Sequence, residues 1–287
     1  MFRKSIVASV LTFGVAAFTF TSCDEETLNA FTQGDTVAAL KEALGVGVNV
    51  AVDRLSTEGY IADAATRIGL PEEAITAFTA VQALQNVPGA NVILDNVGLG
   101  SDLQDNLVTL FNDAAKDAAP EAASIFAGAI KDMSVQDGEQ ILFGGSGAAT
   151  TYLKDNTYTG LQSAFHGPIT NSMNNVKIAG MTATNAWSKF ATGNNMLAKN
   201  INSYKNSSNI IQSSAYKAVY AALPAEGKAA VDKIGEVDTD ISDYVTGKAL
   251  DGLFLRVSQK EDDIRTNAAA RTSDLLKRVF GRLDENK

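Results

Sequence analysis

Apolar residues recur three and four positions apart along most of the chain, the spacing that places side chains on one face of an α-helix. The longest such stripe consists of Val37, Leu40, Leu44, Val48, Val52 and Leu55. A helix is also expected from Pro71 to about Gln85, because a proline followed by two acidic residues is typical of a first helical turn. Further stripes lie at 242–257 and 275–280, and no segment alternates convincingly between apolar and polar residues as a half-buried strand would. The pattern predicts an all-α fold, a single domain of short, mostly antiparallel helices.

Proline, glycine and runs of small polar residues predict where these helices break. Pro120 is expected to separate a helix at 103–118 from another at 120–133. The segment 157–190 contains three glycines and a proline and is expected to form only short helices. Residues 191–214 are rich in Asn and Ser, and this composition predicts a loop or an insertion.

The first 23 residues have the pattern of an export signal. Arg3 and Lys4 form a positive end, and an apolar run at 6–20 follows. That run is shorter than the roughly 20 residues that a membrane-spanning helix needs. Small hydroxyl residues stand directly before Cys23, an arrangement that resembles the looser bacterial lipobox of Bacteroidetes, in which the cysteine thiol receives a lipid.

The sequence therefore predicts three parts: a cleaved lipoprotein signal peptide at 1–22, a lipidated acidic tether at 23–34 and a helical domain at 35–287. Cys23 is the chain's only cysteine, so an internal disulfide is excluded. The chain is expected in the bacterial cell envelope, held at the outer membrane by lipid on Cys23, on the periplasmic face or the cell surface. A plain secretory signal with a chance cysteine is the alternative interpretation.

The overall charge is acidic, with 33 Asp and Glu against 24 Lys and Arg and a net charge of −9. A chain of this kind lacks the basic surface that neutralises a phosphate backbone, so no nucleic acid partner is expected. No sequence motif points to a cofactor.

Four blocks of the sequence together resemble a bacterial family, domain-of-unknown-function family 4197. They are ALKEALGVGVNVAVDRLSTEGY at 39–60, FNDAAKDAAPEAASIFAGAIKDM at 111–133, ILFGGSGAATTYL at 141–153 and YVTGKALDGLF at 244–254. The stretch 191–235 departs from the family pattern. The resemblance implies a helical lipoprotein of the cell envelope, and it carries over no activity and no catalytic residue.

The segment GGSGAATT at 144–151 is the first candidate for ligand binding. Gly144 and Gly145, ahead of a helix start, could expose backbone amides to an anion, beside the hydroxyls of Thr150 and Thr151. The Lys-Ser/Thr pair that ends a P-loop is absent, so a nucleotide site of that kind is excluded. A tight turn between two packed helices is the alternative explanation of the glycines.

A second candidate lies near the C-terminus, where Glu261 and Arg265 are four residues apart and can pair on one helix. Arg271 would lie about two turns further if that helix continued, and the two arginines could clamp a carboxylate or a phosphate. The alternative is a salt-bridge network that only holds the C-terminal helices together.

No metal site is expected from the side chains available. His166 is the only histidine and is expected in a loop, and Cys23 is assigned to lipid, so the nitrogen and sulfur ligands of a zinc site are lacking. Asp238, Asp240 and Asp243 do not fit an EF-hand loop, which needs glycine at its sixth position.

Three hypotheses for function remain open. The leading one is a non-catalytic, lipid-anchored envelope protein that binds a protein or a small ligand between helices. The second is an envelope enzyme with a site near Thr150, Tyr152, Glu261 and Arg265, which requires the glycine-rich bend and the Glu–Arg pair to converge on one pocket. The third is a purely structural or assembly lipoprotein.

The lipid anchor can be tested at Cys23. We expect Cys23→Ser to abolish incorporation of a labelled fatty acid in bacterial cells, because serine offers no thiol to the acylating enzyme. Since the chain has no other cysteine, the loss of label would be complete. Equal labelling of both proteins would contradict the lipoprotein hypothesis.

Overall fold

The computed structural model describes residues 32–132 and 138–285. The chain divides into two units, residues 1–32 and 33–287, and the second unit contains the helices and the hydrophobic core. The predicted signal peptide, Cys23 and nearly all of the predicted tether lie outside the described residues.

Helices make up most of the described chain, which confirms the predicted all-α fold. They are α1 (Gln33–Thr57), α2 (Glu72–Gln85), α3 (Ser101–Asp132), α4 (Gly138–Leu142), α5 (Ala148–Asn175), α6 (Ala183–Lys205), α7 (Ile210–Ala222), α8 (Ala225–Lys233), α9 (Ser242–Thr266) and α10 (Asp274–Gly281). Two short 3-10 turns lie at Ala90–Val92 and Ala268–Ala270. Strands β1 (Lys177–Ile178) and β2 (Met181–Thr182) form a small antiparallel hairpin with Lys177 opposite Thr182.

The most extensive helix–helix contacts are those among α1, α3, α5 and α9. They form a ring in which each helix packs mainly against two neighbours. Their apolar stripes face inward, so that Leu44, Phe111, Phe165 and Val257 are completely buried. The helices α1 and α9 approach closely at Gly47, where an added Cβ would lie 3.1 Å from Val257 Cγ1. This ring is the centre of the hydrophobic core.

A second group of helices covers one side of the ring through an aromatic cluster. The ring centroids of Trp187 and Phe190 on α6 are 4.7 Å apart, and Phe190 lies 5.5 Å from Phe78 on α2. Trp187 in turn lies 6.1 Å from Phe111 on α3. Tilted aromatic pairs at such distances add attraction beyond the burial of area, and here they join α2 and α6 to the central ring.

Two predicted helix breaks are absent. Pro120 lies inside α3, and Gly160, His166 and Pro168 lie inside α5, so the prediction of a loop at the histidine is wrong. A proline within a helix removes one hydrogen bond and costs about 3 kcal/mol. Residues on both sides of each proline are buried on the same helix face, so tertiary packing outweighs that local cost.

The expectation of a loop over 191–214 is wrong for most of that range. Residues up to Lys205 belong to α6, and α7 begins at Ile210. Several asparagines of this range lie within α6, where their amides bind backbone groups of other segments. Asn194 Nδ2 donates to Gly235 O at 2.7 Å, and Asn200 Nδ2 donates to Ile93 O at 2.9 Å. Asparagine content alone does not show whether the side-chain amides form a loop or bind the backbone of another segment from within a helix.

Among the described residues, no helix combines the length and the apolar character needed to cross a bilayer.

The close packing of α6 provides a test of the fold. A Cβ at Gly193 would collide with Val97 O and lie 2.7 Å from Leu99 Cδ2. We expect Gly193→Ala to lower the free energy of unfolding by about 1–3 kcal/mol, because the backbone of the 97–99 segment must move.

Gly160→Ala is the matched control, since an added Cβ in the middle of α5 meets nothing within 4 Å. This variant should gain about 0.4–1 kcal/mol, because alanine restricts the unfolded chain and favours the helix. Urea unfolding measures both values. A stability of Gly193→Ala equal to or above that of the parent protein would contradict the packing described.

Candidate functional site

The buried carboxylate of Glu261 brings the two predicted site regions together. Glu261 lies on α9 and is 0% exposed. Its Oε1 accepts hydrogen bonds from the backbone N–H of Ala149 at 2.9 Å and from Arg265 Nε at 2.7 Å. Its Oε2 accepts from the N–H and the hydroxyl of Thr150, at 2.7 and 2.6 Å. Glu261 therefore caps the start of α5, where free N–H groups and the helix dipole favour a negative charge.

The guanidinium of Arg265 caps the C-terminal end of α4, as the carboxylate of Glu261 caps the N-terminal end of α5. Arg265 is 5% exposed, and its Nη1 donates to Leu142 O at 2.6 Å while Nη2 donates to Ile141 O at 3.0 Å. Nη1 is also 3.5 Å from Gly144 O. These carbonyls lie at the end of a helix, where a cation is favourable. One ion pair on α9 thus caps two helices that the glycine-rich bend connects.

The bend itself is held by the next residue of α9, Asp262. Its Oδ1 accepts from the N–H of Gly147 at 2.8 Å, and its Oδ2 accepts from the hydroxyl of Ser146. Gly147 has φ +65°, and a Cβ there would lie 2.5 Å from Ser258 Oγ, so glycine is required on both counts. The amides of Gly147, Ala149 and Thr150 thus donate to Asp262 and Glu261, and the amide of Gly144 donates to Ile141 O at 3.2 Å.

Arg271 lies apart from this pair on a different segment. The helix α9 ends at Thr266, so it does not continue to Arg271. Arg271 is 3% exposed and donates to Ile264 O at 2.9 Å and to Arg265 O at 3.0 Å, which caps the end of α9. Its other donors form a bidentate pair with Asp284, at 2.6 and 3.0 Å.

Four of the predicted site residues therefore converge, and the Glu261–Arg265 pair at their centre is closed to solvent. Gly144, Thr150, Glu261 and Arg265 are joined in one chain of hydrogen bonds, whereas Tyr152 is half-buried against the core. Gly145 and Thr151 are exposed. Because the charged groups of Glu261 and Arg265 are directed at protein partners, the geometry is that of a structural cap.

A different surface has the shape of a binding site. Two adjoining cavities follow the extended segment 234–241 between α8 and α9, and we call them together the acidic groove. One, of about 380 Å³, is lined by Pro71, Glu73, Trp187, Glu236, Val237, Asp238, Asp240, Ile241 and Tyr244. The other, of about 300 Å³, is lined by Glu72, Glu73, Thr76, Asn194, Lys233, Ile234, Gly235 and Glu236. Both volumes fall at the small end of the range for ligand pockets.

Polar side chains of α6 hold the backbone of the groove in place. Trp187 Nε1 donates to Asp238 O at 3.0 Å. Asn195 forms two hydrogen bonds with the backbone of Val237. Asn195 Nδ2 donates to the Val237 carbonyl at 3.1 Å, and the Val237 N–H donates to Asn195 Oδ1 at 2.9 Å. With the backbone bound to α6, the carboxylates of Glu236 and Asp238 remain exposed. Sequence reasoning considered Asp238 and Asp240 only as calcium ligands and missed the groove.

The groove has a defined electrostatic character. The backbone N–H of Ser242, at 2.8 Å from Asp240 Oδ1, lowers the pKa of Asp240, and the nearby His166 contributes in the same direction. Burial raises the pKa of Tyr244, and the charge of Glu73 raises it further. Asp240 is therefore ionised and Tyr244 neutral at pH 7. Within the described residues, no three carboxylate, imidazole or thiol groups lie close enough to hold a metal ion.

The geometry defines the class of protein: an all-α fold with a buried capping ion pair and an acidic groove on its surface. The chain matches the model of the family described as "Protein of unknown function (DUF4197)" over residues 30–230 and 209–281, and it belongs to that family. Membership confirms the resemblance found in the sequence, and the family description assigns no activity. Neither a curated protein nor a solved structure matches the chain.

The capping role of Glu261 predicts a large effect on stability. We expect Glu261→Ala to lower the free energy of unfolding by about 3–5 kcal/mol, because Arg265 is left buried without its carboxylate and the first amides of α5 lose their acceptor. Glu58→Ala is the matched control, since Glu58 pairs with Arg54 at the same spacing but about half exposed. Glu58→Ala should lower the free energy of unfolding by about 0.5 kcal/mol or less. Equal small effects in urea unfolding would contradict the capping role.

A charge exchange separates capping from simple pairing. In Glu261→Arg with Arg265→Glu the two side chains could still pair, but a guanidinium would face the amides of Ala149 and Thr150 and a carboxylate would face the α4 carbonyls. We expect the double variant to remain at least as unstable as Glu261→Ala. Recovery of the parent stability in urea unfolding would mean that only the pair interaction matters.

Proposed function

We propose that this protein is a non-catalytic, lipid-anchored component of the bacterial cell envelope that binds a basic protein segment or amine ligand in the acidic groove. The observation that carries the proposal is the combination of an apolar wall with carboxylates on two sides of one cavity. Pro71, Ile241 and the aromatic rings of Trp187 and Tyr244 supply the wall. Glu73 on α2 and Glu236 on the opposite segment supply charge to both cavities.

This chemistry favours a lysine or arginine side chain or a small amine. The aliphatic part of such a group gains by covering apolar surface, and its cation gains from carboxylates and from the face of an aromatic ring. The groove contains one lysine, Lys233, and its Nζ lies 3.6 Å from Glu72 Oε1, at the far end from Tyr244. An anionic ligand would meet uncompensated repulsion along most of the groove.

Attachment through lipid on Cys23 is the second part of the proposal. It rests on the export signal, the small residues before the cysteine and the absence of any other cysteine in the chain. The helix α1 begins at Gln33, ten residues after Cys23. A fully extended chain of ten residues reaches about 35 Å, which is the upper limit on the distance between the lipidated cysteine and the start of α1.

The enzyme hypothesis receives no support from the geometry near Thr150, Tyr152, Glu261 and Arg265. A general acid or base must reach a substrate within about 3 Å, and Glu261 is fully enclosed by its protein partners. Thr150, Glu261 and Arg265 are engaged in the capping contacts, and we place ligand binding in the acidic groove instead.

Binding of basic groups can be measured by calorimetry with a short oligolysine peptide. We expect Glu73→Gln with Glu236→Gln to weaken binding about five- to tenfold, because each carboxylate near the surface contributes up to about 1 kcal/mol. Asp102→Asn with Asp105→Asn is the matched control, since it removes the same charge from exposed positions on α3. Binding should also weaken as salt rises. Equal weakening by both pairs would show that net charge, and not the groove, attracts the peptide.

A further inference from the structure

Charge is distributed unevenly along this acidic chain. The segment 156–225 contains five lysines and no Asp or Glu, whereas all 33 acidic residues lie outside it. The five, all exposed, are Lys177, Lys189, Lys199, Lys205 and Lys217. The segment covers the end of α5, the β-hairpin, α6 and α7. In a protein of net charge −9, this is a separate basic region.

The helix α7 in that region presents an apolar face to solvent. Ile210 and Ile211 are 81% and 80% exposed, the highest values among the exposed large apolar residues of the described chain. Ala215, Ala218 and Ala222 are also exposed, and they follow Ile211 at helical spacings of four, seven and eleven. The buried side chains of α7, Tyr216 and Val219, lie on the adjacent face.

The exposed isoleucines belong to a well-formed helix end. Asn209 caps α7, and its Oδ1 accepts from the N–H of Ile211 at 2.9 Å. The turn before it, residues 206–209, is Asn-Ser-Ser-Asn and carries no charge. The cap fixes both isoleucines at the first turn of the helix, so their exposure does not result from fraying.

We propose that α7 and the turn before it dock on an anionic lipid bilayer, with Ile210 and Ile211 in the interfacial layer and Lys205 and Lys217 against the lipid headgroups. An amphipathic helix with an apolar face and neighbouring lysines binds a bilayer in this way. The segment's charge is opposite to that of the headgroups, and the acidic remainder of the chain is repelled. The contact therefore orients the protein as well as binding it.

Charge also distinguishes this occupant from others. A second copy of the chain in a symmetric contact would bring the same lysines face to face, which is unfavourable. Carboxylates of other segments do contact the region: Asp117 and Asp243 meet Ser172 and His166 on α5, away from α7. Nearer α7, Asp232 on α8 has its Oδ1 3.8 Å from Lys205 Nζ, and its Oδ2 accepts from the hydroxyl of Tyr220. That ion pair is at the outer limit of contact and leaves Lys205 half exposed.

Cosedimentation with vesicles tests the proposal independently of lipidation and of the groove, using residues 33–287, the compact unit that contains the described core. Circular dichroism confirms that each variant is folded. We expect binding to vesicles of equal parts phosphatidylcholine and phosphatidylglycerol. Ile210→Ser with Ile211→Ser should weaken it about tenfold or more, because the apolar insertion is lost.

Ile61→Ser with Ile75→Ser is the matched control, because these isoleucines are exposed elsewhere, at 44% and 51%, and should leave binding unchanged. Lys205→Gln with Lys217→Gln should weaken binding to the anionic vesicles and have little effect with phosphatidylcholine alone. Equal loss in both isoleucine pairs, or no binding by the parent protein, would overturn the proposal. So would a dimer in vesicle-free solution that Ile210→Ser with Ile211→Ser dissociates, because a second copy would then occupy this face.

Discussion

The buried carboxylate of Glu261 is the interaction on which the arrangement of the central helices depends. Each of its oxygens accepts two hydrogen bonds, Oε1 from Ala149 and Arg265 and Oε2 from the amide and hydroxyl of Thr150. Arg265 in turn satisfies carbonyls at the end of α4. A buried ion pair adds little net stability by itself, but removing one partner leaves a charge and several backbone groups unpaired. The position of the bend between α4 and α5 is therefore tied to α9.

Much of this could be predicted from local sequence, and the limits have a physical cause. Periodic apolar stripes located α1 and α9, a proline followed by two acidic residues located α2, and the spacing of four placed Glu261 beside Arg265. The spacing cannot show that the Glu261–Arg265 pair has a third partner, the start of α5. The amide of Thr150 lies 111 residues away from the carboxylate it binds, so nothing local distinguishes a ligand clamp from a cap. Only burial decides between them, and burial is a property of the folded chain.

The errors follow the same rule. Pro120 and the asparagines of α6 have strong local preferences, and sequence reasoning followed those preferences. In the fold, a buried face on both sides of Pro120 outweighs its lost hydrogen bond, and Asn194 and Asn195 bind the backbone of the segment that forms the groove. The groove was missed because its wall comes from α2, α6 and α9 and exists only after these have packed.

The contact of Gly47 with Val257 has a consequence for how the protein is made. It joins the first helix to the ninth, and α1 packs more extensively against α9 than against any other element. A ribosome adds about 5–20 residues each second, so α1 emerges roughly 10–40 s before the helix that covers it. During that interval its leucines have no native partner on α9. Folding of this chain must therefore include a stage in which α1 can pack against α3, its other neighbour in the ring, but not yet against α9.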